Sequence, residues 1–238
     1  MPTGDRRVCL LTGAAGVLGS EFCRRYAGEY DIVAVCRTRA PVVPSQLETY
    51  VDPLDPADQE AASVYTVFAD LREQAAVDRL VEVALARFGR VDLLVNAAAY
   101  TKPYSQTMVD GDAALINLDE HLRTNVVAPM RLATTLAHQF WMHRAADNLA
   151  DNRNIVNISA TAGSTVYPFQ GQAGYAASKA ALNALTGHMA AEFRSFGVRV
   201  NTVVPNAFPG AISTGRVTDA IIQFDRGKAT GSAIVLDK

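Results

Sequence analysis

Seven short runs rich in branched apolar residues recur along the chain: VCLLT, DIVAVC, VYTVF, DLLVN, NIVNIS, VRVNTVV and SAIVLD. The segments between them include FCRRYA, VDRLVEVALARF, LRTNVVAPMRLATTLAHQFW and YAASKAALNALTGHMAAEF, in which apolar residues return every three to four positions. The runs fit strands buried on both faces, and the intervening segments fit amphipathic helices. Strand and helix in alternation point to a parallel sheet, because parallel neighbours need a crossover and a helix supplies it. The expectation is an α/β fold: one doubly wound domain over residues 1–238, with a seven-stranded parallel sheet and helices on both faces. One stretch breaks the pattern. Residues 37–63 carry Pro41, Pro44, Pro53 and Pro56, too many for a helix interior, and read as a surface excursion.

Composition narrows the partners. A chain of 238 residues with 49% hydrophobic and 19% charged side chains is that of a globular protein able to bury a large core without staples. A formal charge of -2 and a pI near 6.1 give no electrostatic footprint for nucleic acid or an anionic membrane surface. Cys9, Cys23 and Cys36 are odd in number, lack C-x-x-C spacing and fall partly in strand-like runs, which reads as buried reduced thiols and a cytoplasmic setting. The N-terminal basic residues precede an apolar patch too short for a secretory or membrane-spanning segment, so the patch reads as the first strand. No metal-ligand spacing stands out.

The first strand runs into TGAAGVLG, with Gly13, Gly16 and Gly19 leading into a helical pattern. In a strand-loop-helix unit such glycines allow the tight turn, admit a pyrophosphate against the backbone and pack helix on strand, while the helix N-terminus offers free N–H groups. This is a Rossmann-type dinucleotide loop or a plain glycine-rich turn; its place directly after a strand favours the former. The second strand ends Cys36-Arg37-Thr38-Arg39, where an NAD-preferring site usually carries an acid for the ribose hydroxyls. Arg37 instead suits a 2′-phosphate, pointing to NADP(H) rather than NAD(H), against the alternative of a solvated loop arginine.

In GYAASKAALNAL, Tyr175 and Lys179 stand four apart on a helical segment and so share a face. A neighbouring ammonium lowers a phenol's pKa and makes a usable proton donor of it. Alone, such a pair is more often a surface coincidence. It accompanies TGxxGxxG after the first strand, Asp70 after the third, VNAAA after the fourth, Asn125 in RTNVVAP and NIS after the fifth. In order and spacing, over essentially the whole chain, this set resembles the short-chain dehydrogenase/reductase family.

The resemblance implies a role for each position. Tyr175 would exchange the proton at the substrate oxygen while nicotinamide gives or takes hydride, and Lys179 would bind the nicotinamide ribose and lower the tyrosine's pKa. Asn125 resembles the asparagine that bends its helix and holds a water in the proton relay. Gly13, Gly16, Leu18 and Gly19 fall on the phosphate loop. Asp70 and Leu71 match the adenine contacts, and Asn96 and Ala97 open the segment lining the adenosine side. Members commonly assemble as homodimers or homotetramers, through the helix carrying YAASK and through the last strand.

Several positions depart from the family pattern. TGxxGxxG is the glycine spacing of the extended branch, whereas length and the YAASK context are those of the classical branch. The usual NNAG is Asn96-Ala97-Ala98-Ala99, and the Pro-Gly after the sixth strand is Pro205-Asn206. The substrate-orienting serine falls on Ala160, flanked by Ser159 and Thr161, and the loop on to Tyr175 is about two residues longer than the family's. Strand alternation would turn both hydroxyls away from the side that Ala160 faces, unless the strand ends or bulges there; Ser159 is the first choice to replace the missing hydroxyl, Thr161 the other, and both could simply satisfy local backbone groups. Residues 205–231 leave room for one helix at most, a short cover over the substrate, so the pocket should be open or closed by a neighbouring subunit.

The reading that follows is an NADP(H)-dependent oxidoreductase acting on a small or carrier-bound carbonyl or alcohol, in a setting such as secondary metabolism. Two alternatives remain. Ala160, Ala97 and Asn206 favour a binder or sensor of this fold with little turnover, and the glycine spacing alone favours an epimerase- or dehydratase-like member.

Overall fold

A computed structural model describes residues 6–41, 63–104, 108 and 112–237. All seven strands form: β1 (Arg7–Thr12), β2 (Tyr30–Cys36), β3 (Val64–Phe68), β4 (Leu93–Asn96), β5 (Asn154–Ile158), β6 (Arg199–Pro205) and β7 (Ala233–Leu236). They make one sheet in the order β3-β2-β1-β4-β5-β6-β7, every pair parallel. The strands β2, β4, β5 and β6 are buried along their whole length, which is why they read as continuous apolar runs rather than alternating ones.

Among the described residues the α-helices are α1 (Val17–Tyr26), α2 (Gln74–Phe88), α3 (Ala113–Leu122), α4 (Ala128–Leu136), α5 (Ala145–Ala150), α6 (Ala173–Phe193) and α7 (Thr214–Arg226). Phe22, Cys23 and Tyr26 of α1 pack with Val217, Ile221 and Phe224 of α7 against one face of the sheet. Val77, Leu80 and Val81 of α2, Leu132 and Leu136 of α4, and Met189 and Phe193 of α6 cover the other. Cys9, Cys23 and Cys36 are buried and unpaired within the first of these cores.

Residues 42–62 of the proline-rich excursion lie outside the described residues. Between β6 and β7 stands a single helix, α7, as the length of that interval requires. Among the described residues no helix is long and apolar enough to cross a membrane.

Strand order fixes where a ligand can sit. Strand β1 pairs with β2 on one side and β4 on the other, so the connections leaving β1 and β4 diverge and open a crevice beyond their carboxyl ends. The Thr12 hydroxyl closes the floor of this crevice by accepting from the N–H groups of Ala97 (3.0 Å) and Ala98 (3.1 Å). The site residues expected from the sequence lie at or just beyond the carboxyl ends of β1 to β5, on α1 and α6, or, for Asn125, in the π-helical turn between α3 and α4.

Candidate active site

The loop after β1 is shaped for close backbone approach. Gly13 has φ 68, and a Cβ there would stand 2.8 Å from the Ala98 Cα; at Gly19 it would stand 2.4 Å from the Ala14 Cα. Gly16 caps α1 without any side-chain hydrogen bond, so the first-turn N–H groups of α1 are left for an anion. The Leu18 side chain is buried in the core beside Phe22, which leaves its main-chain N–H as the group it can offer a phosphate.

Beside this loop a cavity of about 240 Å³ is walled by Gly13, Cys36, Arg37, Asp70, Leu71 and Ala98. Arg37, the first residue after β2, is exposed at its rim, and Arg39 folds back to donate to the Ala15 carbonyl at 3.1 Å. Asp70 is held by Arg72, whose guanidinium lies 2.6 Å from its Oδ2 and 2.9 Å from Glu120. That hydrogen-bonded pairing pulls the Asp70 carboxyl down to about 2. The Asn96 side chain points into the sheet and donates to Asn157 at 2.8 Å, while Ala97 contributes its N–H to Thr12. A positive-φ glycine, an uncapped helix start and a cavity rimmed by arginine fit a nucleotide diphosphate and its adenosine.

On the other side of the crevice stand Tyr175 and Lys179, on one face of α6 as their spacing requires. Lys179 is buried and donates to the Ile158 carbonyl at the end of β5 (2.7 Å), with its Nζ 5.6 Å from the Tyr175 ring centroid. The electrostatics differ from the expected tuning. Burial pushes the Tyr175 phenol up to about 12 and the Lys179 amine down to about 8, so desolvation outweighs the ammonium's pull on the phenol. Helical spacing predicts that the two share a face but says nothing of how deeply that face is covered.

Depression of the Lys179 pKa has a stability consequence. The unfolded chain, with its lysine near 10.5, binds more protons than the folded one between pH 8 and 10, so stability rises with pH through that window. Relative to Lys179→Met, the wild-type protein should gain about 2 kcal/mol on going from pH 8 to 10 in denaturant unfolding. A constant difference between the two proteins across that window would disprove a buried amine of low pKa.

Asn125 lies in a wide π-helical turn, Arg123–Val127, between α3 and α4. Its Oδ1 accepts from the Tyr100 N–H (2.8 Å), and its Nδ2 donates to the Tyr100 carbonyl and to the Ser178 hydroxyl, both at 2.9 Å. The asparagine therefore clamps the segment after β4 to α6 one residue before Lys179. His121 was not singled out in the sequence: its ring packs edge-on between Tyr100 (4.8 Å) and Tyr175 (6.1 Å).

The end of β5 separates the two candidate hydroxyls. The strand ends at Ile158, Ala160 is extended (φ -160, ψ 155), and a tight 3₁₀ turn begins at Thr161. Ser159 points back into the fold, where its buried hydroxyl donates to the Lys179 carbonyl at 3.3 Å. Thr161 is turned by the 3₁₀ turn into a cavity of about 250 Å³ that it lines with Ala160, Tyr167, Tyr175, Pro205 and Asn206. The structure thus brings Tyr175, Lys179 and Asn125 together and faces the Ser159 hydroxyl elsewhere. A larger cavity of about 680 Å³ shares Tyr167 and Gln172 with this one and extends outward past the exposed Val166 and Phe169.

Known proteins are similar to this chain in sequence and in fold. The family model described as short chain dehydrogenase matches residues 7–220. The acetoacetyl-CoA reductase of an Acinetobacter strain is 30% identical over 90% of this chain and 77% of its own length. A crystal structure of a short chain dehydrogenase from Mycobacterium smegmatis superposes with a TM-score of 0.79 at 26% identity, over 100% of this chain and 94% of the other. The 3-ketoacyl-(acyl-carrier-protein) reductase of Brucella melitensis, solved in complex with NADH, does so with a TM-score of 0.77 at 25% identity, over 97% of this chain and 96% of its own. By the family match over residues 7–220 and the likeness to these relatives over most of its length, this chain belongs to the short-chain dehydrogenase family of oxidoreductases.

Proposed function

We propose that the protein is an NADP(H)-dependent reductase of a ketone, or the matching dehydrogenase of a secondary alcohol, with Tyr175 as its acid-base. The observation that carries this reading is Tyr175 on the wall of a cavity beside Ala160 and Asn206, backed by a buried Lys179. When bound, the dinucleotide supplies or removes the hydride. Tyr175 gives its proton to the oxygen of a reduced carbonyl, or takes it from an alcohol. Lys179 is anchored on the Ile158 carbonyl behind Tyr175, and Asn125 fixes α6 against the segment after β4. Gly13, Gly16, Leu18, Gly19, Asp70, Leu71, Asn96 and Ala97 form the dinucleotide's side of the crevice, through main-chain groups at Leu18, Asn96 and Ala97. The described chain then acts as one dinucleotide-binding domain, with residues 205–231 as a light cover. Room beyond Tyr167, lined by Val166, Pro168 and Phe169 together with Thr165, Gln170 and Gln172, supports a substrate carrying an extended apolar or carrier-bound portion, of a kind met in secondary metabolism. Exposed Leu115, Ile116 and Met130 on α3 and α4 support self-association as a homodimer or homotetramer, which light scattering would read as mass.

Arg37 supports the choice of NADP(H), since it lines the nucleotide cavity, and the Cys36-Arg37-Thr38-Arg39 run that ends β2 holds no acid. Loss of a charge-assisted pair is worth about 1.5–3 kcal/mol, so Arg37→Ala should weaken NADPH binding about 10- to 100-fold and leave NADH binding within a factor of two. Equal effects on both cofactors in a fluorescence titration would remove Arg37 from cofactor choice.

A second reading has its own observation. A phenol pushed up to about 12 and an alanine at position 160 suit a protein that binds the dinucleotide and turns over little. Incubation with NADPH and a panel of ketones headed by acetoacetyl-CoA separates the two. One alcohol formed per NADPH consumed supports the reductase, and tight NADPH binding with no alcohol from any member supports the binder.

A further inference from the structure

A carbonyl oxygen that accepts hydride at its carbon develops negative charge on two lone pairs, and each donor aimed at it before the reaction lowers the barrier. Tyr175 supplies one donor. Ala160, beside it on the cavity wall, supplies none, and Ser159 is not on that wall, its buried hydroxyl being turned back toward the Lys179 carbonyl. We propose that the Thr161 hydroxyl, held by Tyr167 and Asn206, donates the second hydrogen bond to the substrate oxygen opposite Tyr175. The proposal rests on the reductase reading above and names the residue that completes its site.

Three features of the structure carry it. The first is rigidity relative to Tyr175. The turn that begins at Thr161 ends at Gly163, which lies so close to α6 that a Cβ there would stand 2.8 Å from the Lys179 carbonyl carbon. Thr161 is thereby pinned to the helix that bears Tyr175 and Lys179.

The second is the direction of the hydroxyl protons. Thr161 Oγ1 lies 3.0 Å from the Tyr167 hydroxyl and 3.4 Å from Asn206 Oδ1. The Asn206 amide is fixed with its oxygen toward Thr161, because Oδ1 accepts from the Ala207 N–H (2.8 Å) while Nδ2 donates to Asp237 (2.7 Å). Tyr167 then donates into Thr161 Oγ1, and the threonine proton rests on Asn206 across a distance beyond the usual range for a hydroxyl donor. A bond that long is given up readily for a developing oxyanion.

The third is that both unusual features of the sequence find a use together. The longer loop before Tyr175 brings in Tyr167, and the asparagine that follows Pro205 provides the acceptor that holds the Thr161 proton until a substrate oxygen takes its place. Thr161 would touch the substrate and act as a catalytic residue; Tyr167 and Asn206 act through it as positioning residues.

The test separates carbonyl polarisation from turnover. With the protein saturated in NADP⁺, so that no hydride is on hand, a dimethylamino-substituted cinnamaldehyde reports hydrogen bonding to its carbonyl oxygen as a red shift of its absorption band. The shift should be full in wild type and Thr161→Ser, and reduced by half or more in Thr161→Val and Tyr167→Phe. Turnover of acetoacetyl-CoA should fall about 10²-fold in kcat/KM for Thr161→Val, mostly in kcat, and return in Thr161→Ser and in Thr161→Val combined with Ala160→Ser. NADPH affinity should be unchanged in all of them, which reports an intact fold. A full shift in Thr161→Val, or no shift in wild type, overturns the proposal. A Thr161-dependent shift without turnover in any protein would keep the hydroxyl assignment and reject the reductase reading, whereas turnover lost in Tyr175→Phe but kept in Thr161→Val would do the reverse.

Discussion

Tyr175→Phe should lower kcat for carbonyl reduction about 10³-fold while leaving NADPH affinity and thermal stability close to wild type. The size follows from the usual contribution of a positioned acid-base, about 10² to 10⁴ in rate, or about 4 kcal/mol for 10³. Phenylalanine keeps the ring that packs edge-on against His121, so the fold around α6 has no reason to shift. The pH profile of the wild-type protein adds a check on the electrostatics. A phenol held near 12 stays protonated from pH 7 to 9, so reduction should be flat across that range. Oxidation of the alcohol needs the phenolate and should rise about tenfold per pH unit over the same range. A plateau of oxidation near neutral pH would mean that the bound dinucleotide and Lys179 together overcome the burial of the phenol. Reduction unchanged in Tyr175→Phe would remove the tyrosine from the chemistry.

Gly19→Ala should cost about 3 kcal/mol of stability and weaken dinucleotide binding more than 10-fold. The added Cβ would lie 2.4 Å from the Ala14 Cα and 2.5 Å from the Gly13 carbonyl oxygen. Both are backbone atoms, so no side-chain rotation relieves the contact; helix α1 must lift from the loop, and overpacking of that kind costs up to about 3 kcal/mol. Gly28→Ala is the control, since nothing lies within 4 Å of the position its Cβ would take. Denaturant unfolding and NADPH titration of the two variants side by side measure both effects. Equal behaviour of Gly19→Ala and Gly28→Ala would show that the loop is far softer than its contacts indicate.

The architecture was legible because strand and helix announce themselves by different means in this chain. The strands of the parallel sheet are continuous runs such as DIVAVC, fully buried as Tyr30–Cys36, whereas a helix such as Gln74–Phe88 buries Val77, Leu80, Val81 and Ala84 on one face. The family set of motifs fell on consecutive strand ends for the same topological reason. What the sequence concealed lies at the point where regular structure stops. Whether Ser159 or Thr161 faces the cavity depends on a 3₁₀ turn three residues long, and nothing in NISATAG marks where β5 yields to it. The bridge from Asp237 through Asn206 to Thr161 joins residues far apart in the chain and leaves no local pattern. The clash at Gly19 was implicit in its motif, but the depth at which Lys179 sits was not, because helical spacing fixes a direction and not a degree of burial.

The strand order has a consequence for how the chain assembles. Hairpins, which zip up from a local turn, are absent from the described sheet, and its central pair joins Cys9 to Leu93 in the sequence. Closing so long a loop costs entropy before any contact repays it, which places this protein among the slower folders of its size. The first three strands therefore wait, one edge of β1 unpaired, until β4 arrives. That same edge, once closed, floors the crevice in which the glycine loop and the Ala97 segment meet, so the strand pairing that spans the most sequence is also the one that creates the crevice.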